Sequence, residues 1–177
     1  EHVDLRETLP FVLVAPDAVQ EVEHGIGLVR CEARGRVDAQ ATGGADRAGV
    51  VGEGEDRELG VGAGDTPATA EKIISKILKL RIFPDEQGRM NRSVEEISGG
   101  HLIVSQFTLY GDLSKGNRPS FVGAGEPALA RSLYEHAVSF SRSQGVRTES
   151  GEFQADMQVA LVNDGPATFT LELPEDA

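Results

Sequence analysis

Residues 99–111, GGHLIVSQFTLYG, decide the fold class. Two glycines punctuate the chain. Leu102, Ile103 and Val104, then Phe107 and Leu109, form a run that is apolar on both faces at its start. That pattern predicts one strand reaching Tyr110, set in a sheet covered by other elements. Upstream, TAEKIISKILKL (69–80) puts Ile73, Ile74, Ile77 and Leu80 on one face of a helix. Thr66 is placed to cap it, Pro67 fits its first turn, and Pro84 ends the element. Residues 85–91 read as a turn or hairpin, and Ser93 and Glu96 have capping-box spacing. Downstream, LSKGNRPSFVGAG (113–125) is a long loop. Pro127 opens a second helix on which Leu129, Leu133, Ala137 and Phe140 recur, with Gly145 as its C-cap. A weak strand is expected over 146–153. Clearer ones cover 157–162 and 167–173, joined by Asn163-Asp164-Gly165-Pro166 as a tight turn. This order is α+β, with helices covering a mixed or antiparallel sheet.

The first third of the chain has a different character. Residues 25–64 are rich in glycine and poor in large apolar side chains, so short strands at most are expected there, at 27–31 and 49–51. The glycines make no phosphate loop, because GEGEDRELG carries acids where such a loop needs lysine. The start of the chain has no basic segment followed by an apolar run, and no apolar run is long enough to span a bilayer. A cytoplasmic protein without a membrane segment is the expectation.

Side-chain chemistry of the familiar kinds finds little support. The single cysteine, Cys31, excludes an internal disulfide framework and a thiolate zinc cluster. The histidines, His2, His24, His101 and His136, have no metal-ligand spacing, so neither metal nor cofactor is expected. His136 reads as a boundary residue beside a buried helical stripe. Ser105 and Ser120 lack the nucleophile-elbow pattern. The net charge of -12 argues against a general nucleic-acid coat. Yet Lys72, Lys76, Lys79, Arg81, Arg89 and Arg92 face only Asp85 and Glu86 in their stretch, and Lys115 and Arg118 follow. A polyanion has a local footing there.

Three polar islands stand against these elements: Ser105-Gln106-Phe107-Thr108, Lys115 to Phe121, and Asn163 to Thr168. Each alone reads as a sheet edge, a surface loop or a turn. Together, SQFTLYGD, NRPSF and NDGPAT in this order resemble the D-aminoacyl-tRNA deacylases of bacteria and eukaryotes, also called D-tyrosyl-tRNA(Tyr) deacylases. The likeness takes in AGDTPATAEKIISKILKLRIFPDEQGRMNRS, LYEH and GEFQADMQVALVNDGPATFTL, and covers residues 62–173 almost continuously.

The resemblance implies sheets curled into a barrel-like core with two covering helices. It implies a homodimeric hydrolase with sites at the subunit interface. The substrate is D-aminoacyl-tRNA, and also glycine mischarged on tRNA. Ser105, Gln106, Phe107 and Thr108 are the implied catalytic segment, whose backbone amides around Gln106 and Phe107 hold the ester carbonyl. The tRNA 2′-hydroxyl helps activate water, and no side chain acts as nucleophile. Gly165 and Pro166, with Asn163 beside them, are implied to form a cis backbone wall that excludes L-side chains from the partner's pocket. Phe121 and Met157 would line the terminal adenosine pocket, and Arg30 would brace the Gly-Pro motif, with Arg34 and Arg36 as alternatives. Lys76, Lys79, Lys115 and Arg118 would guide the tRNA.

The departure lies at the front. Residues 1–24 match nothing in the family and form an extension. Residues 25–177 are the deacylase domain, divergent over 25–64 and strongly family-like over 65–173. The family's long apolar strand is reduced here to Leu59-Gly60-Val61. A missing core strand removes buried side chains worth roughly 1.5–3 kcal/mol each. The alternative reading is therefore a relative that binds tRNA or a partner protein without turnover. A partly folded product is a third.

Overall fold

The computed structural model of the protein describes residues 26–40, 53–161 and 167–173. The elements are β1 (Ile26–Gln40), β2 (Glu53–Gly60), α1 (Pro67–Leu78), β3 (Phe83–Pro84), β4 (Met90–Arg92), β5 (Gly100–Ser105), a 3-10 turn (Phe107–Tyr110), α2 (Pro127–Ser143), β6 (Arg147–Ser150), β7 (Gln158–Leu161) and β8 (Ala167–Leu173). The fold is α+β, with mixed sheets and two helices. The main sheet runs β6-β5-β2-β1-β7, and β8 also pairs with β1. β2 and β6 flank β5 in parallel, whereas β1 pairs antiparallel with β2, β7 and β8. β3 and β4 form the hairpin expected around 85–91.

α1 begins as its sequence predicts. Thr66 accepts from Thr69 N–H, and Thr66 N–H donates to Thr69 Oγ1 at 2.7 Å, closing a reciprocal cap ahead of Pro67. Ile73, Ile74 and Ile77 are buried, as is Leu78, where the helix ends two residues short of Leu80. On α2, Leu133, Tyr134, Ala137 and Val138 are buried, and Gly145 follows the helix at φ +84°, a conformation that suits a residue without Cβ. These faces meet Ile103 of β5 in the main core. On the other face of β5, Leu102 and Val104 pack with Met157. The strand is thus covered on both sides, as its continuous apolar run requires.

Three expectations are corrected. First, the strand beginning at Gly100 stops at Ser105. Gln106 N–H donates to Leu59 O at 2.9 Å, and the chain then coils into the 3-10 turn. Second, the front is not limited to fragments: β1 has 15 residues and β2 has 8. The slot assigned to a shrunken Leu59-Gly60-Val61 strand is filled by EGEDRELG, which pairs along both edges. Backbone N–H and C=O groups make that ladder, and they do so whatever side chains they carry. The expected strand at 49–51 lies outside the described residues. Third, β7 pairs with β1 at 37–40 and β8 pairs with β1 at 26–33, both antiparallel. Two strands antiparallel to one partner point the same way, so β7 and β8 are not the arms of a hairpin. β1 is long enough to pair with them in succession.

No helix among the described residues is long and apolar enough to cross a membrane.

Candidate functional site

The end of β5 delivers the first polar island. Ser105 lies opposite Leu59 of β2, and Gln106 is held one residue further by its bond to Leu59 O. That bond spends the Gln106 N–H. The N–H groups of Phe107 and Thr108 are the ones that the first turn of a helix leaves unused. Ser105 and Gln106 are half-buried and Thr108 is exposed. Phe107 is 57% exposed, unusual for a phenylalanine that packing alone would place.

The second island folds back over the first. Asp112 and Ser120 exchange backbone bonds at 2.8 and 2.9 Å, which closes the loop between them. Asp112 Oδ1 accepts from Ser114 N–H at 2.8 Å. Hydrogen bonds from the Ser114 hydroxyl and N–H, with a smaller attraction from Lys115, hold the Asp112 carboxyl below its usual value. Lys115 and Arg118 are exposed on this loop. At its return Phe121 meets Phe107 edge-on, with ring centroids 5.0 Å apart at 71°. Leu113 and Val122, 62% and 89% exposed, add apolar surface nearby along the chain.

The remaining candidates lie on other segments. Met157 touches Leu102 and Val104, and a Cβ on Gly151 would come within 2.9 Å of its sulfur. Arg30 occupies a register position between Glu58 and Thr170. Arg34 and Arg36 sit in the stretch of β1 between its pairings with Ala167 and Leu161. Lys76 and Lys79 are exposed at the end of α1. Arg81 Nε and Arg92 of the same basic stretch donate to the carbonyls of Asn91 and Glu96. Asn163, Gly165 and Pro166 lie outside the described residues. His136 is half-buried and bonds Glu71 across the two helices at 2.9 Å, as a boundary histidine should. Among the described residues, no group of three or more His, Cys, Asp or Glu could hold a metal ion.

Sequence reasoning missed Tyr110 and the glycines around it. Gly60, Gly62 and Gly123 each lie so close to its ring that an added Cβ would meet it within 3.3 Å. The available signal was the recurrence of paired glycines, Gly60/Gly62 and Gly123/Gly125, on both sides of a lone tyrosine.

The chain is 58% identical over 110 residues to a D-aminoacyl-tRNA deacylase of Jannaschia sp. (strain CCS1), covering 62% of this chain and 75% of that one. It is 49% identical over 137 residues to one of Shewanella baltica (strain OS185), covering 77% and 90%. A solved structure titled c-Myc DNA Unwinding Element Binding Protein superposes with a TM-score of 0.72 at 35% identity, over 84% of this chain and 99% of that one. The fold is shared, at 19% identity and a TM-score of 0.72, with a probable eukaryotic D-amino acid tRNA deacylase, over 83% and 99%. The family model described as D-Tyr-tRNA(Tyr) deacylase matches residues 32–172, and the chain belongs to that family.

Proposed function

We infer that the chain hydrolyses the ester between a D-amino acid and tRNA, a chiral proofreading reaction. The observation that carries this reading is the family match over 32–172, which takes in the Ser105–Thr108 segment and its loop. Water adds to the ester carbonyl, the bond to the terminal ribose oxygen breaks, and free D-amino acid and tRNA leave. The Phe107 and Thr108 N–H groups are the donors for the oxyanion, since Gln106 N–H is bound to Leu59 O. Ser105 and Gln106 hold that turn in place. The substrate's 2′-hydroxyl assists the water, and no side chain serves as nucleophile.

The exposed Phe107 ring, packed edge-on against the half-buried Phe121, offers an aromatic face to the terminal adenosine, with Met157 assigned to the same pocket. Gly165 and Pro166, flanked by Asn163, form the wall that rejects L-side chains while admitting glycine. A cis bond there costs far less before proline than before any other residue. Arg30 braces that wall, with Arg34 and Arg36, between the stretches of β1 that pair with Ala167 and Leu161, as the alternatives. The protein works as a cytoplasmic homodimer in which the wall of one subunit enters the site of the other, and the sheets curl into a barrel-like core. Residues 25–177 are the working domain and 1–24 an extension. Lys76, Lys79, Lys115 and Arg118 guide the acceptor end of tRNA. A net charge of -12 fits such local contacts better than a footprint on duplex DNA.

Single-turnover hydrolysis of D-tyrosyl-, L-tyrosyl- and glycyl-tRNA tests this reading. Rapid loss of the D- and glycyl esters with a stable L-ester is expected. Stability of all three in the presence of folded protein would leave a binding protein without turnover. Thr108→Ala should keep the D-specific rate within about tenfold, since a positioned nucleophile and its base are worth far more than that.

A further inference from the structure

Three segments meet behind the 3-10 turn. The end of β2 and its continuation, residues 59–63, form the middle one. On one side Gln106 N–H bonds Leu59 O at 2.9 Å. On the other, Gly125 N–H bonds Val61 O at 2.8 Å and Ala63 N–H bonds Gly123 O at 3.3 Å, while Gly62 bridges Ala124. The Tyr110 ring fills the space among the three. A Cβ on Gly60 would stand 3.0 Å from its Cε2 and 3.3 Å from Gln106 O. One on Gly62 would stand 2.7 Å from its Oη, and one on Gly123 would stand 3.3 Å from its Cδ1. Gly125 is equally tight, with a Cβ position 2.9 Å from Gly62 O. Real Cβ atoms essentially never come as close as those at Gly62 and Gly125 would, and those at Gly60 and Gly123 would be tighter than nearly all real contacts, so the glycines provide the clearance that lets the ring and the two backbones lie against each other.

We propose that Tyr110 is a positioning residue of the deacylase site, its ring locking the turn that carries Phe107 and Thr108 to the loop that carries Lys115, Arg118 and Phe121. The inference rests on the deacylase reading. The ring belongs to the turn itself and lies against Gly60 and Gly62 on the second segment and Gly123 on the third. Movement of any one must therefore displace the amides at the reacting carbonyl relative to the loop that holds the tRNA end. Errors of about 1 Å at such a position cost about a hundredfold in rate.

Gly62→Ala and Tyr110→Phe test the joint, because the second removes the atom that the first would strike. Single-turnover hydrolysis of D-tyrosyl-tRNA by the full chain gives a rate and an amplitude. Hydrogen exchange of the Gly125 amide reports the joint without activity. Gly62→Ala should lower the rate about tenfold with its amplitude intact and speed exchange at Gly125, and Tyr110→Phe alone should stay within about threefold. The double variant should return to within about threefold of Tyr110→Phe, and its Gly125 exchange should slow again. Loss of amplitude at an unchanged rate would make the residue merely structural and overturn the proposal. So would losses that multiply in the double variant, or a Gly62→Ala protein indistinguishable from the unmutated one. If the unmutated protein itself leaves D-tyrosyl-tRNA intact, the deacylase reading fails, and this positioning role fails with it. An active protein with indifferent variants overturns the positioning role alone.

Discussion

β2 and β5 lie side by side in parallel from Gly54↔Gly100 to Leu59↔Ser105, and their sequences are opposites, EGEDRELG against GHLIVS. β5 is specified by its own side chains. Ile103 enters the core under the helices, and Leu102 and Val104 enter a second cluster with Met157. β2 offers one large apolar residue, Leu59, and otherwise acids, glycines and Arg57. Its place is specified by neighbours, because β1 and β5 both have edges to satisfy and an unpaired buried N–H or C=O is costly. One strand is held by what it buries and the other by what it bonds. The difference should appear in how each responds to mutation.

The largest effect is expected at β5. Ile103 is fully buried, and Ile103→Ala should destabilise the fold by about 2–5 kcal/mol, read from urea unfolding with the slope unchanged. A loss under about 1 kcal/mol would mean that β5 is held by its ladder as β2 is, and the contrast would collapse.

Next in size is the strap that ties α2 to β5. The Tyr134 hydroxyl lies 2.9 Å from Ile103 O and 2.8 Å from Gly151 O. Burial pushes its pKa up to about 12, against opposing hydrogen bonds. A tyrosine whose folded value is raised stabilises fully below its unfolded pKa, near 10, and that contribution is lost as pH rises through about 12. The unmutated protein should therefore weaken between pH 10 and 12 by an amount on the order of 2 kcal/mol. Tyr134→Phe should cost about 1–3 kcal/mol at neutral pH and remove that alkaline loss. An identical alkaline decline in the variant would assign it to other groups.

These contrasts mark how far the sequence could be read. α1, α2 and β5 were legible because each buries a periodic apolar face, from Ile73, Ile74 and Ile77 to Leu133 and Ala137. The 3-10 turn was not. Phe107 and Leu109 continue the apolar spacing of a strand, and the last ladder bond, from Gln106 N–H to Leu59 O, reaches a residue distant in sequence. β2 was illegible for the same reason, since its pairing partners write nothing into its own side chains. In the candidate site, motifs singled out Phe107 and Phe121 separately, and the contact between their rings is visible only in the fold. The Tyr110 joint depends on distances between glycines from two separate segments, which spacing along one chain does not encode.

A smaller effect, opposite in sign, is expected on β2. Glu32 of β1 and Asp56 of β2 are directly paired in the register, and on its other edge Asp56 faces Leu102. Like charges placed opposite each other destabilise a sheet, and aspartate is a poor strand former. Asp56→Thr should raise stability by about 0.5–1 kcal/mol, seen as a higher urea midpoint. A lower midpoint would show that the acid is specified after all, and that β2 depends on its own side chains as β5 does.

The smallest effect belongs to the loop over the site, where a carboxylate helps rather than hinders. Asp112 closes the loop through its backbone pair with Ser120, and its side chain accepts from Ser114 N–H. The Ser114 hydroxyl, then the Ser114 N–H, lower its pKa from 3.8. A depressed carboxyl stabilises above its unfolded value, and that contribution disappears as pH falls from 3.8 through the lower folded value. The side chain is fully exposed, so water screens most of the gain. Asp112→Asn retains an oxygen that can accept the Ser114 N–H but carries no charge. Its urea midpoint should lie slightly below that of the unmutated protein at pH 6, and the two should converge as the solution is acidified below pH 3.8. A constant gap across that range would mean that the substituted amide disturbs the loop by shape alone. An Asp56→Thr protein taken through the same titration keeps Asp112, so it should retain the loop's acid-dependent loss, and that separates the helpful carboxylate from the harmful one.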